Sequence, residues 1–470
     1  MRQLSGQDAT FLYLDKPGAH LQLTGLYVYE QPAALRDRLS YGDICRLIGD
    51  ALSGVDLLRS RLVRPPLDID FPYWAEDTDF RIERHLHRYP GPVPKSRRDL
   101  FEVVSAIEAE PLDLAHSPWE MHVIERLGRI PGLPANGFAI VMKYHHAAID
   151  GASGAALVDR LHGVRPVPGT GGLSVEPGRV PGRLEIAARA VMNNGGNAFA
   201  LGRALTGSVP AICRSLWRSA TFQRQAQAGV PDTRFNGPIS AQRVMDGISV
   251  SVDRLRAVRQ AAPGATVNDV LLTICGGALR RWLRRRDELP ETPLVAMVPV
   301  NAREGGQAEV SGNQLSALFV PIGTHIEDPV ERLKAVRDAT SRAKSGEDGF
   351  PPEQASAISR HIPALPLAGA ARLVTGLGLG HRGLRLCNCT ITNVPPNRPG
   401  LRLGPARLAY IAGSGPIIDG MGLLISIFSL DGQANLTFTS CPRMLRRPEV
   451  LARDAGRELA RLERSLRLGA

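Results

Sequence analysis

The run GFAIVMKYHHAAIDGASGAALVDRL, Gly137 to Leu161, decides how the rest of the chain is read. Its first part, Phe138 to Tyr144, is a nearly unbroken apolar stretch of strand length, and its last part is an Ala/Leu/Val-rich helical pattern. His145, His146, Asp150 and Gly151 therefore occupy the turn between a strand and a helix, where side chains are held out of the core. An imidazole in such a turn titrates near neutral pH and can take a proton from a hydroxyl, which is typically worth ~10²–10⁴ in rate. Asp150, four residues after His146, can orient that ring or hold the turn through a cation elsewhere; spacing alone does not choose.

Outward from this run, the composition narrows the class. The 470 residues hold 57 Lys and Arg against 46 Asp and Glu, a net charge of +11, with 43% hydrophobic and 22% charged residues, as in a globular chain of about two domains. The best membrane candidate, Gly420 to Leu430, is about half the ~20 residues a bilayer crossing requires. Gln3, Gln7 and Asp8 stand where a secretory signal needs an apolar run, and six scattered cysteines suit reduced thiols, so a cytoplasmic location is expected. With 5% aromatics and no recognition module, nucleic acid is not an expected partner. An anionic membrane or the phosphates of a ligand accounts for the charge more economically.

Three regions are expected: a mixed strand and helix domain at 1–163, a Pro/Gly-rich linker with a basic segment at 164–235, and a second domain at 236–470. Between Arg183 and Gly229 six arginines face one acid, Glu185, and Ile212, Leu216 and Ala220 alternate with Arg214 and Arg218, the pattern of a helix able to lie on an anionic lipid surface or pack on its own protein. Val267, Val270, Ile274, Ala278 and Trp282 predict a long helix ending in arginines, and Leu451, Ala455, Leu459, Leu462 and Leu466 a closing amphipathic one. Strands are predicted at Leu294 to Val300, Leu315 to Ile322, Ala434 to Ser440 and CNCTITNV, where Cys387, Cys389 and Ile391 alternate with Asn388, Thr390 and Thr392.

HHAAIDG matches the HHxxxDG motif of acyltransferases related in fold to chloramphenicol acetyltransferase. PLDLAHSPWE (Pro111 to Glu120) resembles the PLDxxxPLW block, Asn268 to Val270 the Asn-Asp motif, and VPVNAR (Val298 to Arg303) a further shared block. SGNQLS (Ser311 to Ser316), TNVPPN (Thr392 to Asn397) and LSGQDATFLYLD (Leu4 to Asp15) fall where similar runs are expected. In this order the set resembles the bifunctional wax ester synthase/acyl-CoA:diacylglycerol acyltransferase family over nearly the whole chain.

The resemblance implies an α/β (α+β) fold of two chloramphenicol acetyltransferase-like domains, each a mixed sheet with flanking helices, and an active-site tunnel between them. Acyl-CoA and a diacylglycerol or fatty alcohol are the implied substrates, with no cofactor, no metal and peripheral contact with the inner membrane or lipid droplets. His146 is the implied general base and His145 its buttress, Asp150 and Arg303 brace the turn, and Gly151 lets substrate approach the backbone. Asn268 is a candidate oxyanion donor, a role in which one preorganised group is typically worth about 2.7–4 kcal/mol. Its rival reading puts Asn268 in the first turn of a helix capped by Thr266 and Asp269, which gives Asp269 a structural role. Asp113 and Trp119 are the supporting residues of the PLD block.

That block departs from the pattern, with Ser117-Pro118 in place of the usual Pro-Leu, and TNVPPN lacks the glycine common after Asn-Val-Pro. A condensation-type enzyme using carrier-bound acyl groups also shows HHxxxDG, and a non-catalytic lipid-binding relative is a third reading. No G-x-S-x-G elbow occurs, so an acyl-enzyme route is not expected. GLGHRG (Gly378 to Gly383) lacks the acid about 20 residues on that a dinucleotide site needs. His85 and His87 can line one face of a strand, but no Cys or further His lies nearby in sequence, so both are expected to be structural.

Overall fold

The computed structural model describes residues 2–32, 38–53, 55–149, 151–164, 182, 184–193, 230–301, 315–345, 368–369, 385–394 and 398–468. The Pro/Gly-rich linker, the Arg214/Arg218 segment, GLGHRG, Arg303 and most of SGNQLS lie outside them, as does Asp150.

Two six-stranded mixed sheets carry the fold. The first runs Arg402–Leu403, Ala406–Ser414, Gln22–Glu30, Phe138–His145, Trp119–Ile124, Leu86–Arg88. The apolar run of Phe138–His145 has a cause in this arrangement, because the strand lies inside the sheet and both of its faces are covered. Phe138, Ile140 and Met142 pack with Tyr29, Ile44, Ile48, Trp119 and Leu157. Ala139 and Val141 pack on the other face with Leu26, Val28, Leu100, Phe101 and Val104. The helices Tyr41–Leu52 and Arg97–Ala109 that supply these layers each start with a Ser/Asp capping box, at Ser40 with Asp43 and at Ser96 with Asp99.

The second sheet runs Leu315–Pro321, Val295–Asn301, Cys389–Asn393, Leu424–Leu430, Gln433–Ser440, Val244–Ser251. Cys389–Asn393 is parallel to both of its neighbours, and the other pairs are antiparallel. The four strands predicted in this half are present, with ends shifted by a residue or two. The polar side of CNCTITNV differs from expectation at Asn388, which is buried. Its Oδ1 accepts the Val295 N–H at 2.9 Å, and its Nδ2 donates to Pro231 O and Asn236 Oδ1, both at 2.8 Å.

The predicted helix Val267–Arg284 forms, and its stripe of Val270, Ile274, Ala278 and Trp282 is joined in the core by Leu271, Leu272, Cys275 and Leu279. The closing helix Pro448–Ser465 buries Leu451, Ala455, Leu459 and Leu462 against it. Between them Glu458 accepts from Arg281 Nη2 at 2.7 Å and, from the helix Pro329–Ser345, from Arg332 Nη1 at 3.0 Å, a buried carboxylate held by two guanidinium groups.

Chain order does not separate the sheets. Ala406–Ser414, deep in the second half, pairs antiparallel with Gln22–Glu30 and completes the first sheet. A division at residue 236 therefore cuts through one hydrogen-bonded sheet. Among the described residues no helix is long and apolar enough to cross a membrane, and Gly420 to Leu430 contributes a core strand instead.

Candidate active site

His145 is the last residue of its strand, and the turn after it is tied on both sides. The His145 N–H donates to Pro118 O at 3.0 Å and the His146 N–H to Leu21 O at 2.9 Å. Ala148 N–H closes back onto His145 O at 3.0 Å, and Ala147, Ala148 and Ile149 are buried in the first core. Pro118, the displaced proline of the PLD block, thus places its carbonyl as an acceptor for the motif backbone. Its strand runs alongside, with Trp119 opposite Tyr144. The helix Gly151–Leu161 then approaches so closely that a Cβ at Gly154 would stand 2.8 Å from Tyr144 Oη. The absence of a side chain at Gly154 permits this contact.

The two histidines differ. His145 is buried, its Nδ1 accepts the Ala147 N–H at 3.1 Å, and its Nε2 lies 3.0 Å from Asp15 Oδ2. An Nδ1 engaged as acceptor leaves the proton on Nε2, so the ring donates to Asp15. His146 is half-buried, neither sealed in the core nor on open surface, and lies flat against Phe11 with ring centroids 4.0 Å apart and planes 9° from parallel.

Asp15 is a site residue that the motif reading did not single out. Besides His145 it takes the Leu21 N–H at 3.3 Å and meets His20 Nδ1 at 3.2 Å. Burial pushes its carboxyl up, and the bond and charge of His145, with the Leu21 N–H and His20, outweigh that and hold it below the usual carboxylate value. The helix Gly6–Leu14, capped by Ser5, supplies Phe11 just upstream. The only sequence signal was LSGQDATFLYLD, which ends on Asp15. The loop beyond Asp15 is gripped by the second half of the chain, since Lys16 Nζ pairs with Asp419 Oδ2 at 2.7 Å and Arg243 Nη2 donates to Gly18 O at 2.9 Å. Gly18 takes φ +79°, a left-handed turn that suits glycine.

The remaining expected residues are distributed as follows. Trp119 is buried, donates from Nε1 to Leu58 O at 2.8 Å and stacks on His85 at 4.6 Å. Asp113 is exposed and turns the chain, its Oδ1 accepting the Ala115 N–H at 2.9 Å. Asp269 closes a capping box with Thr266, taking the Thr266 N–H at 2.8 Å and its hydroxyl at 2.7 Å. Asn268 stands half-buried in the first turn of that helix, and Gly151 opens the helix after the motif.

The profile of the wax ester synthase/diacylglycerol acyltransferase catalytic domain matches residues 4–271, and that of the WS/DGAT C-terminal domain matches residues 311–463. A protein of Mycobacterium tuberculosis strain H37Rv that bears the name of a diacylglycerol O-acyltransferase is 32% identical over 397 residues, covering 84% of this chain and 85% of its own. A second from the same strain, named likewise, is 30% identical over 475 residues, covering 97% and 90%. Among solved structures, the wax ester synthase/diacylglycerol acyltransferase from Marinobacter aquaeolei VT8 superposes with a TM-score of 0.68 at 24% identity, over 99% of this chain and 100% of that one. Trichothecene 15-O-acetyltransferase from Fusarium sporotrichioides gives 0.62 at 12% identity, over 99% and 95%. These two structures share the fold.

Proposed function

The chain belongs to the wax ester synthase/diacylglycerol acyltransferase family and is an acyltransferase, and on that footing we propose that His146 is the general base for transfer of a long-chain acyl group from acyl-CoA to the hydroxyl of a diacylglycerol or a fatty alcohol. The observation that carries the assignment is the position of the two histidines, His145 buried and His146 half-buried at the turn that follows the strand. His145 has both ring nitrogens engaged, by the Ala147 N–H and by Asp15. His146 stands half-buried at the turn, with its backbone N–H on Leu21 O and its ring face against Phe11.

In this reading the His146 imidazole removes the acceptor hydroxyl proton as the oxygen attacks the thioester carbonyl. The tetrahedral intermediate collapses with cleavage of the C–S bond, and the imidazolium returns its proton to the departing thiolate, giving ester and free CoA. Asn268 is the proposed donor to the oxyanion, Asp150 and Arg303 brace the turn, and Gly151 leaves room for substrate against the backbone. His145 and Asp15 keep the turn in register. Asp113 and Trp119 support the neighbouring strand, and Asp269 supports the helix that presents Asn268. Acyl-CoA enters as substrate, and the lipid acceptor places the enzyme at the cytoplasmic face of a membrane or on a lipid droplet.

The test is purified protein with labelled palmitoyl-CoA and a panel of diacylglycerol, hexadecanol and water. Labelled triacylglycerol or wax ester is expected from free acyl-CoA. His146→Ala is expected to lower turnover by roughly 10²–10⁴ while the circular dichroism spectrum is unchanged. Turnover near the wild-type rate in a clean preparation of that variant removes the mechanism.

A further inference from the structure

Away from the motif turn, three metal-ligating side chains converge that are far apart in sequence. Leu86–Arg88 is the edge strand of the first sheet and runs parallel to Trp119–Ile124, with His87 directly opposite His122. Glu120 lies two residues before His122 on the same strand and so on the same face of the pleat. One donor atom from each of His87, Glu120 and His122 lies within 4.8 Å of the others. The two imidazole rings are 4.9 Å apart at 32°, and His122 Nε2 is 3.1 Å from Glu120 Oε2. The companion histidine of RHLHRYP takes no part: His85 precedes the strand, engages Trp119 O through Nδ1 at 2.8 Å and is stacked by Phe80 and Trp119.

We propose that His87, Glu120 and His122 form a binding site for a zinc-class divalent transition ion that braces the edge of the first sheet. Two borderline imidazole nitrogens and one hard carboxylate oxygen are a donor set that zinc accepts, and they leave the fourth tetrahedral position to solvent. Donors around one zinc ion stand roughly 3.3 Å apart, so small side-chain rotations close the set. Behind it, Lys143 Nζ lies 3.3 Å from Glu120 Oε2 and is itself fixed by Ile107 O at 3.1 Å and Glu110 O at 2.9 Å. A carboxylate oriented by such a partner presents its other oxygen to the ion. The same ammonium repels a dication and limits affinity. Lys143 also sits on the motif strand, two residues before His145, which joins the site mechanically to the strand that ends at the catalytic turn.

The experiment needs no turnover. Full-length protein is stripped with EDTA, exchanged into chelator-free buffer and titrated with Zn²⁺ against a colorimetric chelator, with thermal unfolding measured in parallel and Mg²⁺ as a separate arm. One zinc per chain and a higher unfolding temperature are expected, with no response to Mg²⁺. The double variant H87A/H122A and the milder Glu120→Gln are expected to weaken binding by roughly tenfold or more, while His325→Ala, an exposed histidine elsewhere, leaves it unchanged. Retention of zinc by a folded double variant, or absence of a stoichiometric zinc from the wild type, overturns the site and reduces the group to an ion-pair cluster around Lys143.

Discussion

Glu108 offers a sharp electrostatic test of this packing. It lies near the end of the helix Arg97–Ala109, pressed against the first sheet, and its carboxyl is buried. Oε1 accepts the Ser414 hydroxyl at 2.9 Å, while Oε2 has no hydrogen-bond partner among the described residues. Burial raises its pKa from 4.5 to about 7, and the charges of Arg243 and Lys143 with the Ser414 bond offset only part of that. The folded protein therefore holds this proton more tightly than the unfolded chain does. Stability falls as pH rises from 4.5 to about 7, and the full penalty applies above that range. At about 1.4 kcal/mol per pH unit the penalty is on the order of 3 kcal/mol. Glu108→Gln keeps an oxygen for Ser414 and removes the charge. Urea unfolding of wild type and variant from pH 4.5 to 8.5, followed by tryptophan fluorescence, should show the variant gaining about 3 kcal/mol on the wild type across the window. A difference that stays flat over these four pH units refutes the buried, half-satisfied carboxyl.

Asp15→Ala removes the acceptor of the His145 Nε2–H, and a slackened turn should lower kcat by roughly ten- to a hundredfold with KM little changed; steady-state kinetics with an unaltered kcat contradict a positioning role. Glu458→Gln leaves the buried Arg332 guanidinium short of its counter-charge and should cost about 3–5 kcal/mol in chemical denaturation; a loss under about 1 kcal/mol shows that Arg332 finds compensation elsewhere.

Much of this architecture is written in local patterns. The nearly unbroken apolar stretch of Phe138 to Tyr144 marks a strand covered on both faces, and Thr266 three residues before Asp269 marks the start of the long helix. What local pattern does not carry is the partner. Asp15 meets His145 across 130 residues of chain, and nothing in a period of two or 3.6 assigns an aspartate to a histidine. His87 was readable as a strand residue, but Glu120 and His122 reach it only through the parallel register of Leu86–Arg88 on Trp119–Ile124. The alternation in CNCTITNV correctly marks Cys387, Cys389 and Ile391 as inward, yet Asn388 is also buried because its amide satisfies a backbone N–H and two acceptors from neighbouring segments.

The strand Ala406–Ser414 has a consequence for synthesis on the ribosome. Gln22–Glu30 emerges some 376 residues ahead of the neighbour that covers one of its edges, counting from Glu30 to Ala406. At roughly 5–20 residues per second, that edge waits for tens of seconds as an open template. Nascent chains in this interval are the species most exposed to intermolecular pairing, so yield should respond to chaperone supply and translation speed more than to the stability of the finished fold.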